Sequence, residues 1–199
     1  TGATDESKVD EALAKVIKGR IVQAKPVEKD CMVLSYLPDW DHGDVDNIGV
    51  ANNDGGVRIL IDLPKIPTDD AAKPERTFVL AIYSRKTDSK PSPGVIQAYE
   101  IEAEWPEPTS WKTQPRMATK PAAKFEFIAG DGWKLFDVTA LVKEQAKEKR
   151  SGFGVQLRFE KEDRSGATDD WSGYQFVSRE GEGEWSGRRP VLLVVEPTK

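Results

Sequence analysis

The 199-residue sequence has too few cysteine and histidine residues for several common kinds of site. It contains a single cysteine, Cys31, and a single histidine, His42, so no internal disulfide can form. Most zinc sites and most nucleophile–base pairs are also excluded, because both need several such residues close together. Cys31 lies in the apolar run CMVLSYL, where we expect a buried free thiol.

Basic residues and long apolar runs are also scarce. The chain has 29 Lys and Arg residues against 34 Asp and Glu residues, a formal net charge of −5. Nucleic-acid-binding proteins show the opposite balance, a basic excess. No apolar run approaches the roughly 18 residues of a membrane-spanning helix. We therefore predict neither nucleic acid nor a membrane as a partner.

Short runs of alternating residues dominate the chain after Pro26. In VQLRFE (155–160), the apolar residues Val155, Leu157 and Phe159 alternate with polar ones, which is typical of a half-buried strand. About ten such runs are separated by Gly-, Pro- and Asp-rich turns, so we predict an all-β antiparallel sandwich. The predicted core residues are Val155, Leu157, Phe159, Phe176 and Leu193.

Helical spacing is confined to two segments. The first begins the chain, with apolar residues from Val9 to Ile17 on one face, Ser7 as a cap and Gly19 as a stop. The second is VTALVKEQAKEKRSG (138–152). We therefore predict a helical extension over residues 1–25 and a β-sandwich module over residues 26–199.

Alternating carboxylates in YEIEAEW raise the question of catalysis. Glu100, Glu102 and Glu104 would share one face of a strand, about 7 Å apart. Glycosidases hold two carboxylates about 5 to 10 Å apart, so this spacing permits hydrolase or lyase chemistry. A solvated strand shows the same alternation. We predict no catalytic residues and expect that the protein is not an enzyme.

The acidic segment DWDHGDVDN (39–47) is a candidate calcium site. Calcium prefers several carboxylate and carbonyl oxygens from a flexible loop, which Asp39, Asp41 and Asp44 could supply. The glycine falls at the fifth position from Asp39 rather than the sixth, which excludes an EF-hand loop. A structural calcium ion and a hydrated acidic loop stay open as alternatives, and no other cofactor is predicted.

Aromatic residues in polar loops are the best candidates for ligand binding. Sugar rings stack on indole through their C–H faces, and arginine binds hydroxyl and carboxylate groups beside them. Three tryptophans lie in loops rich in Gly, Ser and Asp, and arginines are available to complete such a site. The predicted ligand-binding residues are Trp40, Trp171, Tyr174, Trp185, Arg158 and Arg188.

Five stretches occur in the order typical of one family. They are VRILIDLPKIP, WPEPTSW, WKLFDVTALV, GFGVQL and the closing FVSREGE with RRPVLLV. Through these, residues 31 to 196 resemble the DNRLRE-domain family. The resemblance implies a jelly-roll-like sandwich that serves as an accessory module of secreted bacterial proteins. Some relatives are carbohydrate-binding modules, with alginate among their ligands. The resemblance also implies structural roles for Trp105, Trp111 and Trp133.

These features together predict a non-catalytic carbohydrate-binding module. We expect a polysaccharide ligand of acidic, alginate-like character, held by loop tryptophans with Arg and Lys. The alternative is a structural or adhesive sandwich within a larger secreted or surface protein. Further expectations are other modules of the same polypeptide as partners, a monomeric state, and a location outside the cell, in the periplasm or on the cell surface.

Overall fold

The computed structural model describes residues 11–52, 56–85, 94–126, 130–162 and 173–198 and shows an antiparallel β protein. The strands are β1 (Arg20–Pro26), β2 (Asp30–Leu34), β3 (Asn47–Ala51), β4 (Val57–Ile61), β5 (Thr77–Arg85), β6 (Val95–Ile101), β7 (Met117–Glu126), β8 (Gly132–Asp137), β9 (Val155–Phe159), β10 (Gly173–Val177) and β11 (Val191–Glu196). The helices are α1 (Glu11–Val16), α2 (Thr68–Ala71) and α3 (Thr139–Glu148), with a 3-10 helix at Gly183–Arg188. The predicted all-β antiparallel class with an N-terminal helix is confirmed.

The strands form one hydrogen-bonded path that curls over the core. Its order is β1-β11-β5-β10-β3-β4-β9-β6-β7, with β2 paired to β4 and β8 paired to β5. Apolar side chains from β5, β10 and β11 meet those of β4, β6 and β9 in one cluster. The two halves of the path therefore act as the two layers of a sandwich, and alternate residues of each strand point to its outer face.

The predicted core residues are all buried, and they fall into two clusters. Val155, Leu157, Phe159 and Phe176 lie in the main core between the layers. Leu193 is also buried, but it lies with Leu13 of α1 in a second cluster on the outer face of β5 and β11. The short N-terminal helix thus covers one outer face of the sandwich.

The sheet begins earlier than the predicted module boundary at residue 26. Strand β1 pairs with β11 from Arg20 to Pro26, so the segment just before the boundary is sheet rather than helix. Gly19 separates α1 from β1 with φ +139°, a conformation that favours glycine. A Cβ there would lie 2.6 Å from the carbonyl oxygen of Glu196, so glycine allows the close approach to β11.

Helices α1 and α3 are predicted from the sequence, whereas helix α2 and the 3-10 helix are not. Thr139 donates its backbone N–H to the carboxylate of Asp137 (2.9 Å) at the start of α3, and Lys149 ends it with φ 54°. Helix α2 and the 3-10 helix lie in stretches whose Pro, Gly and Asp content predicts turns. Each is only four to six residues long, too short for helical periodicity. None of the described helices is long and apolar enough to cross a membrane.

Candidate functional site

The loop between β2 and β3 presents an exposed aromatic side chain. Trp40 is 62% exposed, and its ring meets that of His42 edge-on at 5.4 Å. Tyr36 and Leu37 are also exposed, so three of the four large apolar side chains exposed in the described residues lie within this loop. Such clustering at a surface is typical of an interaction site. We call Tyr36, Leu37 and Trp40 the Trp40 patch.

The same loop carries the three predicted calcium ligands, which the structure does not assemble into a site. The carboxylate of Asp39 pairs with Lys112 (2.8 Å), and Asp41 forms an isolated β-bridge with Ser110. Asp41 and Asp44 are both exposed. Within the described ranges, no three His, Cys, Asp or Glu residues are placed to hold a metal ion. This geometry does not support a calcium site at Asp39, Asp41 and Asp44.

A second aromatic cluster lies on the outer face of β5 and β8, where the 3-10 helix covers it. Tyr83 meets Trp133 edge-on (ring centroids 5.4 Å apart) and lies 6.2 Å from the ring of Trp185. The guanidinium carbons of Arg85 and Arg188 lie 4.7 Å and 5.2 Å from the centroid of Trp185. That of Arg188 is also 4.5 Å from the centroid of Tyr83. We call these five residues the Trp185 surface.

The Trp185 surface changes the role predicted for its tryptophan. Trp185 is only partly exposed, and two guanidinium groups cover its ring. An indole in this position is a platform that orients arginines by cation–π contact. Arg85 has one described ion pair, a long contact of 3.7 Å with Asp46, so its donors are weakly engaged.

Of two further predicted ligand-binding residues, the structure describes Tyr174 but not Trp171. Tyr174 is 4% exposed and lies in the main core, where its ring is 5.8 Å from that of Phe159. Burial also raises the pKa of its hydroxyl group. Tyr174 therefore packs inside the main core, a position that does not support its predicted contact with a ligand. Trp171 lies outside the described residues.

Arg158 and Trp185 are both predicted ligand-binding residues, but the structure does not bring them together. It points to the outer face of β9, since Leu157 and Phe159 on either side of it point into the main core. Its guanidinium carbon lies 4.0 Å from the centroid of the Tyr99 ring in β6. The main core therefore separates Arg158 from the Trp185 surface, because each belongs to the outer face of a different layer.

The comparison with family models decides the class of protein. The model of Carbohydrate-binding module family 96 matches residues 23–194. The chain belongs to this family. A search of curated proteins found no match. The family match makes carbohydrate the class of ligand for this family 96 module. It extends from within β1 to within β11.

The family 96 module contains a buried charge cluster that sequence reasoning does not find. Asp30 is fully buried and accepts a hydrogen bond from the backbone N–H of Arg179 (2.7 Å). Its own N–H donates to Glu107 (3.0 Å), whose other oxygen accepts from the Arg179 side chain (2.9 Å). Arg179 also pairs with Glu180. We call Asp30, Glu107, Arg179 and Glu180 the Asp30 cluster.

The Asp30 cluster joins three distant segments of the chain. Burial raises the pKa of Asp30 to about 7, and the nearby carboxylates of Glu180 and Glu107 add to this rise. Burial raises the pKa of Glu107 as well. The sequence signal is an acidic residue directly before the apolar run that forms β2, together with WPEP and SREGE, which supply the partners. These features indicate a structural role, because each charged group is engaged with another part of the cluster.

Two of the three glutamates considered for catalysis, Glu100 and Glu102, are held by different cations. Glu100 is buried and bound by Arg150 and Gln145, which belong to α3 and the residues after it. Glu102 pairs with Arg116 (2.7 Å) beyond the end of β6. The predicted row of three carboxylates on one strand face is therefore wrong, since β6 ends at Ile101 and the chain changes direction.

Proposed function

We propose that this family 96 module binds an acidic polysaccharide of the alginate type on the Trp185 surface. The observation that carries the proposal is the pair of guanidinium groups, from Arg85 and Arg188, packed over the ring of Trp185. A guanidinium held flat against a ring keeps the N–H donors in its plane, and these match the two oxygens of a carboxylate. Two such groups side by side suit a polymer that carries a carboxylate on every sugar.

The rings around these arginines favour a sugar over a simple anion. Tyr83 and Trp133 meet edge-on beside Trp185 and offer apolar surface for the C–H face of a sugar. The Arg85 side chain is 25% exposed, so a hydrogen bond to it is partly shielded from water. The distant Asp46 carboxylate, at 3.7 Å, can be replaced by a closer carboxylate from the ligand.

The Trp40 patch supports a second candidate function. An exposed indole beside an exposed tyrosine would stack on a neutral sugar, or would pack against another module of the same polypeptide. Neither role needs arginine. The two candidates therefore differ in their dependence on salt and on which residue is essential.

Binding to alginate is expected to weaken strongly as salt increases. Between about 0.05 and 0.5 M salt, the screening length falls from well above to well below 10 Å, which weakens partly exposed ion pairs. Affinity electrophoresis through gels containing alginate or a neutral glucan measures this directly. Retention that is insensitive to salt, or stronger in the neutral gel, would contradict the proposal.

Replacing both Arg85 and Arg188 with glutamine is expected to reduce alginate affinity by about 10- to 100-fold, the equivalent of one to two charged hydrogen bonds. Arg20→Gln is the matched control, because Arg20 is an exposed arginine already paired with Glu196 (2.8 Å). Trp40→Ala is expected to leave alginate affinity unchanged. If Trp40→Ala abolishes binding while the double variant retains it, the Trp40 patch is the binding site instead.

We also infer a non-catalytic role for the module outside the cell, as an accessory unit of a larger protein. The engagement of Glu100 by Arg150 and of Glu102 by Arg116 supports the first part, because each carboxylate is already occupied by a cation. Incubation with alginate followed by assays for reducing ends and for unsaturated products tests it. Either product above the rate of a heat-treated sample would show an enzyme.

A further inference from the structure

Within the described residues Arg158 has no carboxylate partner, unlike Arg58, Arg116 and Arg150. On the same face of the layer, Arg58 is held in a two-point ion pair by Glu162 (2.7 and 2.8 Å). Lys124 pairs with Glu160 (2.7 Å). Across the described part of the chain, Arg158 makes no hydrogen bond or ion pair, and its one interaction is the stack on Tyr99. Its donors are therefore open to a ligand.

The position of Arg158 is fixed by its surroundings. The ring of Tyr99 lies 4.0 Å from its guanidinium carbon and is itself held by a hydrogen bond from its hydroxyl group to Gln97. Tyr99 is 8% exposed and Gln97 is 5% exposed, so this support is part of the packed structure. A guanidinium stacked on a buried ring loses little freedom when it binds a carboxylate.

A row of polar residues runs across the strands from Arg158. Gln97 of β6 is opposite Arg158 of β9 on one side and opposite Lys124 of β7 on the other. Neighbouring strands are about 4.8 Å apart, so the row spans about 10 Å. At one end the Arg158 guanidinium is open, whereas the Lys124 ammonium and the Gln97 amide already share the carboxylate of Glu160 (2.7 and 2.8 Å). The open donors of this row are therefore those of Arg158.

We propose that Arg158, held on the ring of Tyr99, forms a second carboxylate-binding site, so that one module binds two stretches of acidic polysaccharide, one on each layer. The assignment of a uronate as ligand rests on the proposed function, whereas the location rests on Arg158 alone. The two layers are about 10 Å apart, and the two sites lie on their outer faces, so a trisaccharide cannot contact both at once.

An NMR titration with an alginate trisaccharide separates the two sites. Backbone amide signals of residues 96–99 and 156–159 report on the Arg158 site, and those of residues 83–85 and 183–188 report on the Trp185 surface. We expect both sets to shift in the native protein. In Arg158→Gln, the first set is expected to need about 10-fold or more higher ligand concentration, while the second set titrates unchanged.

Two further variants make the test specific. Arg158→Lys keeps the charge but loses the flat two-donor group, so its affinity at this site is expected to lie between those of the native protein and Arg158→Gln. Arg116→Gln removes a neighbouring charge that is already paired with Glu102, and it is expected to titrate as the native protein does.

The second site is refuted if the signals around Arg158 do not move in the native protein, or if they move equally in Arg158→Gln. Equal loss in Arg116→Gln would also refute it, because general charge would then explain the binding. Failure of the proposed function has a different signature, the absence of shifts at residues 83–85 and 183–188.

Discussion

Replacing Trp105 with alanine is expected to lower the free energy of unfolding by about 3 to 5 kcal/mol, the usual cost of deleting a buried tryptophan. Trp105 is 2% exposed and covers the outer face of β2 and β4, together with Cys31 and Leu60. Its indole N–H donates to the carbonyl of Phe153 (2.9 Å), and Lys29 lies 4.7 Å from the ring centroid. The substitution leaves both a cavity and an unpaired carbonyl.

Urea unfolding followed by circular dichroism measures this effect. Trp40→Ala is the matched control, because its 62% exposed side chain should contribute no more than about 0.5 kcal/mol to folding. Trp185→Ala is expected to fall between the two, since its ring packs against Tyr83 and two arginines at the surface. A cost for Trp40→Ala as large as that for Trp105→Ala would show that the Trp40 patch is packed.

Replacing Asp30 with asparagine is expected to stabilise the protein at pH 8 and to have little effect at pH 4. The pKa of Asp30 is about 7 in the folded chain and near 3.8 when unfolded. The folded state therefore holds a proton that the unfolded state has lost, and the stability that this group contributes falls as pH rises from about 4 to 7. One pKa unit corresponds to about 1.4 kcal/mol, so we expect a gain of about 2 to 4 kcal/mol at pH 8.

Asparagine suits the Asp30 cluster because its carbonyl can still accept from the N–H of Arg179, and its amide can donate to the surrounding carboxylates. Chemical unfolding of the native protein and Asp30→Asn across this pH range gives the difference directly. Asp39→Asn is the control: the Asp39 side chain is 76% exposed, so we expect this substitution to change the free energy of unfolding by no more than about 0.5 kcal/mol. A destabilisation by Asp30→Asn that is equal at both pH values would contradict the raised pKa.

Local pattern was enough to predict most strands and helices α1 and α3, but not how distant elements meet. The alternation at Val155, Leu157 and Phe159 correctly predicted that these side chains are buried on the same face. Successive side chains of a strand point to opposite faces, so every second residue lies on the same side. The alternation does not show which layer a strand joins, so the sequence could not tell that Arg158 and Trp185 lie on different layers. The burial of Tyr174 was missed because Trp171 and Gly173 beside it are typical of a loop.

The sequence-based prediction also missed residues that acquire their role only through contacts with distant parts of the chain. Arg85 and Tyr83 come from a strand about 100 positions before Trp185, and nothing in YSR itself indicates that a 3-10 helix will cover it. Asp30 looked like an ordinary surface acid before a strand. Its burial became evident only once residues 107 and 179 were brought beside it.

Strand β1 has a consequence for how the module is produced and stored. It forms one end of the strand path, and the family match begins inside it, at residue 23. Trimming the chain to that match would remove half of β1 and all of α1, uncovering Leu193 and the free backbone groups of β11. An apolar strand left open in this way invites other copies to add to it, which leads to aggregation. At the opposite end of the path, Pro121 and the lysines around it in β7 already disfavour pairing with a further strand.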